Sequence, residues 1–192
     1  MLGVNIGSVS LKALTAEAFN AIEVAESQVT LACANPHSLI EAKRDQQFLS
    51  ALNSSDQVVA DGVGIVAIGK LVGLNIQPRI TGNDYFQSVM NAMNKAEGKR
   101  VFFMGSTKTV LEKIQQKANK EYPNLEKVGT HSPPFGDWSE AENQAVIDTI
   151  NAFKPDVLWV GMTAPKQEKW VHANRSQLNA SVIGSIGAVF DF

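Results

Sequence analysis

The chain has 192 residues, of which 44% are hydrophobic and 19% charged, with a formal net charge of −2. That composition excludes disorder and suffices for one globular domain with a sizeable core. The near-neutral balance provides no basic field for nucleic acid, and the lone cysteine, Cys33, excludes an intramolecular disulfide or a cysteine metal cluster.

In chain order, Ser10 offers an N-cap to a helix over Leu11 to Ala25, with Leu11, Leu14, Ala18, Ile22 and Ala25 on one stripe. Continuous apolar runs from Val29 to Ala34 and from Gln57 to Ala60 read as strands buried on both faces. Asp84 to Glu97 reads as a helix stopped by Gly98, followed by a strand from Arg100 to Met104. Thr107 to Glu121 is a helix ending before Tyr122-Pro123, and Leu125 to Thr130 is a weaker strand. Ser139 and Glu142 form a capping box for a helix reaching Phe153. A strand over Asp156 to Gly161, a helix over Pro165 to Asn174 and a strand over Ser181 to Ile186 complete the order.

Strand and helix in alternation, joined by right-handed crossovers, predict an α/β fold. The expected form is a Rossmann-like, doubly wound, mainly parallel sheet with helices on both faces. No repeat or linker divides the chain, so a single domain is expected over 1–192. No apolar run approaches the roughly 20 residues that span a bilayer. The opening MLGVNIGSVSL also lacks the basic and long apolar regions of a signal peptide. A cytoplasmic protein is expected, with a peripheral place on a membrane left open.

Ligands of such sheets bind at the carboxyl ends of the strands, so the turns there are the candidates. Asp61 follows Val58-Val59-Ala60 and precedes Gly62-Val63-Gly64. Its carboxylate could take a proton from a substrate hydroxyl, or could cap the apolar helix that begins there. Gly105-Ser106-Thr107 opens a helix whose free N–H groups suit phosphate, although tight turning alone also favours these residues. In Thr163 to Trp170, TAPKQEKW, Lys166 and Lys169 oppose the dipole at a helix N-terminus. Either an anionic ligand offsets that cost, or the charges are solvated with Glu168 as partner. Arg79, in QPRITGND, is a surface charge or a diphosphate clamp.

Several chemistries lack their signatures. The sequence contains no Asp-x-Asp, P-loop, GxGxxG or GxSxG, and His37, His131 and His172 show no ligand spacing. The expected site therefore has no metal and no cofactor, and cationic side chains with N–H groups would stabilise a leaving diphosphate.

Taken together, these segments resemble the TagA/WecG/CpsF glycosyltransferases, glycosyltransferase family 26. The likeness runs from Leu2-Gly3-Val4 through ANP, VVADGVGIV, Arg79 with Gly82-Asn83-Asp84, VFFMGS, VGTHSPPF and GMTAPKQEKW to GAVFDF. It implies inverting, metal-independent transfer of a sugar from a UDP-sugar to a polyprenyl-diphosphate-linked saccharide. The sugar would be of the N-acetylmannosamine type or a hexose. The expected setting is bacterial surface polysaccharide or teichoic acid synthesis at the inner face of the cell membrane. Asp61 matches the family's base; Asn35 and Arg79 match pocket residues, and Gln167 lies in the nucleotide-side motif. Cys33, Gly105, Ser106, Thr163 and Lys166 complete the expected substrate-binding set. Residues 1–98 would form the acceptor and base half, and 99–192 the nucleotide-sugar half.

Two departures accompany the resemblance. Cys33-Ala34-Asn35 stands where the family often has Thr-Pro-Asn, which replaces a hydroxyl with a weaker thiol donor; Cys33 reads as a packing residue rather than a nucleophile. The family also continues past GAVFDF with a basic, membrane-meeting tail, and without it weak or absent activity is expected. An apolar surface left uncovered there could pair copies into a homo-oligomer. Two other functions stay open: a non-catalytic nucleotide-binding module, and a dinucleotide oxidoreductase, against which the missing GxGxxG counts.

Overall fold

The structure, a computed structural model, describes residues 1–24, 27–71, 73 and 79–190. Ala25, Gln77, Pro78, Asp191 and Phe192, named above within a helix or motif, lie outside the described residues.

The elements run α1 (Leu11–Glu23), β1 (Val29–Ala34), α2 (Pro36–Arg44), α3 (Gln46–Ser54), β2 (Gln57–Ala60), α4 (Val63–Leu71) and α5 (Gly82–Ala96). They continue with β3 (Arg100–Gly105), α6 (Lys108–Glu121), β4 (Lys127–His131), α7 (Glu140–Phe153), β5 (Val157–Gly161), α8 (Lys166–Asn174) and β6 (Val182–Ser185). The six strands form one sheet in the order β2-β1-β6-β5-β3-β4, and every neighbouring pair is parallel. This is the doubly wound α/β fold that the alternation predicts.

Side chains alternate between the two faces of a strand, and the alternation sorts the helices. Leu31, Phe103, Val157 and Trp159 pack with apolar residues of α1, α5 and α6. On the opposite face, Phe102, Met104, Leu158 and Ile183 meet α7 and α8, while Ala32, Ala34, Val58 and Ala60 meet α2 and α3. Trp159 lies at the centre, fully buried, edge-on to Tyr85 at 6.0 Å and Phe86 at 5.3 Å between centroids. Its neighbour on β6 must be small: a Cβ on Gly184 would lie 2.5 Å from the indole Cε3.

The helix ends differ from the sequence reading by a residue or two. Ser139 and Glu142 form the expected capping box, while Thr107 is an N-cap rather than a first helical residue, its side chain accepting from Val110 N. Helix α5 starts earlier, at Gly82, because Thr81 and Asp84 form their own capping box. The sequence reading placed no helix between Pro36 and Ser54, where α2 and α3 stand. Asp45 separates them, ending α2 and capping α3 through Phe48 N at 3.0 Å. Among the described residues no helix is long and apolar enough to cross a membrane.

A cavity at the strand ends and the family it belongs to

The carboxyl ends of β1, β6, β5 and β3 open into one cavity of about 720 Å³. Its wall takes Cys33 from β1, Asp61 from the turn after β2, Ser106 from the turn after β3 and Ser185 from β6. Thr163, Lys166, Gln167 and Glu168 line the side formed by α8, and residues 133–138 form a rim. Seven of the nine residues singled out for catalysis or substrate binding thus share this wall: Cys33, Asn35, Asp61, Ser106, Thr163, Lys166 and Gln167. Arg79 and Gly105 are not part of it.

Asp61 is partly buried, and its backbone N–H donates to Ala34 O at 2.8 Å. Its carboxylate faces the N-terminus of α5, where the Gly82 N–H donates to it. Burial raises its pKa, the Arg79 guanidinium and the Gly82 N–H pull it down, and the Asp84 carboxylate pushes it up; the net direction is upward. A partly desolvated carboxylate with a raised pKa is a better proton acceptor than one in water. Arg79 itself is exposed, so its part in the site is the field it exerts on Asp61.

Two of the expected site residues serve the fold. Asn35 caps α2, its Oδ1 accepting from Ser38 N at 2.9 Å, so the amide N–H groups are what it can offer a ligand. Gly105 has φ +127°, and a Cβ there would collide with the Gly161 carbonyl. It is a glycine because β3 and β5 converge, and it hands the cavity to Ser106, whose own φ of +55° is unusual for a residue with a side chain. Ser132 Oγ donates to Ser106 O at 2.8 Å and holds that turn.

The two lysines of α8 have partners inside the protein. Lys169 Nζ pairs with Asp45 Oδ2 at 2.5 Å. Lys166 Nζ donates to the Gly136 carbonyl and sits 4.8 Å from the Trp138 ring centroid, which fastens the 133–138 rim to α8. Glu168, their solvated counter-charge in one of the two readings above, is instead buried at 4% exposure. Its Oε1 accepts from Gln167 Nε2 at 2.8 Å, and Gln167 Oε1 accepts from Met162 N at 3.2 Å. Burial raises the Glu168 pKa against the lowering effect of the Gln167 hydrogen bond. Alternating charge in the sequence KQEK carries no signal that this carboxyl turns inward.

Cys33 has a Sγ close to α5: a Cβ on Gly82 would lie 3.2 Å from it. Burial pushes the thiol pKa well up, and the Asp61 and Glu168 carboxyl groups push it further. It is therefore an un-ionised thiol, unsuited to nucleophilic attack. Asp61, Cys33 and Glu168 all line the cavity. Among the described residues no group of three or more His, Cys, Asp or Glu side chains is arranged to hold a metal ion.

The profile of the glycosyl transferase WecG/TagA/CpsF family matches residues 1–192. The chain belongs to this family. Among its curated WecG/TagA/CpsF relatives, an N-acetylglucosaminyldiphosphoundecaprenol N-acetyl-beta-D-mannosaminyltransferase of Bacillus spizizenii is 32% identical over 158 residues, 82% of this chain and 59% of the relative. Proteins of the same name from Bacillus subtilis and Staphylococcus aureus are 31% and 29% identical, over 82% and 80% of this chain and 59% and 58% of theirs. The chain thus spans about three-fifths of the length of these relatives.

Proposed function

We infer that this chain forms the sugar-transfer core of a glycosyltransferase that moves a sugar from a UDP-sugar to a polyprenyl-diphosphate-linked saccharide, in teichoic acid or related surface polysaccharide synthesis. The observation that carries the reading is Asp61: a carboxylate with a raised pKa in the wall of a large strand-end cavity. It belongs to a family whose relatives are named for transferring N-acetylmannosamine to N-acetylglucosaminyl-diphosphoundecaprenol.

The chemistry is a single displacement. Asp61 accepts the proton of the acceptor hydroxyl, the oxygen attacks the anomeric carbon, and the bond to the UDP oxygen breaks with its electron pair leaving on the diphosphate. Attack opposite the leaving group inverts the anomeric centre. The nucleotide lies towards Ser106 and Gln167 in the 99–192 half, and the acceptor towards Asp61 and Asn35 in the 1–98 half. N–H groups in the turn after β3 take the place of a metal in stabilising the departing charge. Lys166, engaged with the 133–138 rim, contributes by shaping the donor side. Work on a lipid-linked acceptor implies a peripheral position at the inner membrane face.

The test incubates the full-length protein, tail included, with UDP-N-acetylmannosamine and N-acetylglucosaminyl-diphosphopolyprenol and measures UDP release and lipid-linked disaccharide. Stoichiometric formation of both is expected. UDP binding without transfer, under conditions where a full-length relative turns over, would instead fit a nucleotide-binding module.

A further inference from the structure

The mechanism above gives no role to the buried carboxyl of the cavity wall, Glu168. Glu168 keeps only 4% of its surface in solvent, yet its Oε2 has no hydrogen-bond partner among the described residues. Leaving a carboxyl oxygen buried and unpaired is costly, and such atoms are rare in folded proteins. The cost is retained in the wall of a cavity, beside a thiol that also feels Asp61. The other oxygen is fixed by Gln167, and Gln167 is fixed in turn by Met162 N. The carboxyl is therefore held in orientation with one oxygen buried and unpaired.

We propose that Glu168 Oε2 is a sugar-recognition atom, which hydrogen-bonds a hydroxyl group of the transferred sugar. This rests on the reading of the cavity as a UDP-sugar site. The position follows from the neighbours: Glu168 lines the same cavity as Asp61 and is hydrogen-bonded to Gln167, the residue read as nucleotide-side. A hydroxyl fits because it both donates and accepts. It satisfies the orphaned oxygen whichever partner carries the proton. Cys33, close to Gly82 and lining the same cavity, offers only a weak donor of its own.

Calorimetric titration of UDP and of UDP-N-acetylmannosamine into wild type, Glu168→Met and Glu168→Gln tests the assignment. In the methionine variant the sugar hydroxyl faces an apolar atom, so affinity for the UDP-sugar falls at least about tenfold. UDP affinity stays within about twofold, because Met162 N still anchors Gln167. Glutamine keeps the Gln167 contact and offers an amide to the hydroxyl, so it stays within about threefold of wild type for both ligands. Parallel loss of UDP and UDP-sugar affinity in Glu168→Met would overturn the proposal and make Glu168 only a support for Gln167. Unchanged UDP-sugar affinity in that variant would overturn it outright. A Glu168→Gln protein as weak as Glu168→Met, with wild-type melting behaviour, would rule out a hydroxyl partner. If wild type binds neither ligand, the UDP-sugar reading itself fails and this proposal with it.

Discussion

Replacing Asp61 with asparagine removes a proton acceptor while keeping its volume. The carbonyl oxygen of the new amide can still accept the Gly82 N–H, so the link to the start of α5 persists. General bases contribute about 10²–10⁴-fold to rate, which at about 1.4 kcal/mol per tenfold is about 3–6 kcal/mol of transition-state stabilisation. The expected result is a fall of that size in kcat with the donor KM changed less than about threefold. The pH profile supplies the second readout. Because burial raises the Asp61 pKa, the wild-type acid limb lies above the ordinary carboxylate value near 4. Activity rises with pH through that limb, and the asparagine variant lacks it. Stability moves oppositely. A carboxyl whose folded pKa is raised binds the proton more tightly in the folded state, so stability is fullest below the unfolded pKa and declines as pH rises through the folded one. Asp61→Asn removes that decline, and the variant melts no lower than wild type at neutral pH. Steady-state transfer assays over a pH series, with calorimetry on the same samples, check both. Turnover within tenfold of wild type, or an unchanged acid limb, would refute the role of Asp61 as base.

Other expectations follow from the same geometry. Gly105→Ala adds backbone strain of about 1–3 kcal/mol and overpacking of about 1–3 kcal/mol. At about 2–4 °C per kcal/mol for a chain of this size, thermal unfolding should fall by at least about 4 °C. Lys169→Ala removes the hydrogen bond that does most to hold the Asp45 pKa below its usual value. A depressed carboxyl stabilises the fold above its unfolded pKa and loses that contribution as pH falls through the folded one. The variant should therefore be less stable at neutral pH and show a flatter acid dependence in circular-dichroism melts. Cys33 should react with a neutral maleimide far more slowly in the folded protein than in denaturant, and faster in Asp61→Asn, where a repelling charge is gone. Equal labelling rates in folded and denatured protein would show the thiol to be open.

Much of the architecture was legible because parallel strands buried on both faces are continuous apolar words. Val29–Ala34 and Gln57–Ala60 carry their own boundaries, and the remaining strands shift by two residues or fewer at either end. The pair α2 and α3 escaped because each is nine residues long and their shared boundary is one aspartate. The cavity wall was legible where its residues stand at strand ends, as at Cys33, Asp61 and Ser106. It was illegible where partners lie far apart in the chain. Lys169 meets Asp45 from 124 positions away, and nothing in KQEK distinguishes a solvated glutamate from one facing a cavity. Arg79 matched a motif, but its exposure is a property of the folded surface. Gly105 belonged to a promising turn, yet the approach of the Gly161 carbonyl is what demands it.

Four consecutive residues open α8, and each performs a different task. Lys166 fastens the 133–138 rim, Gln167 reaches the exit of β5, Glu168 faces inward, and Lys169 joins the boundary of α2 and α3. Each residue turns an α-helix by about 100°, so the first turn works like a combination dial. Advancing it by a single position would carry a lysine into the buried slot and swing the glutamate towards solvent. Composition and helical propensity would hardly change, but all four engagements would be lost together. This stretch should therefore tolerate many conservative replacements and no single-residue insertion, which makes its length as much a functional determinant as its side chains.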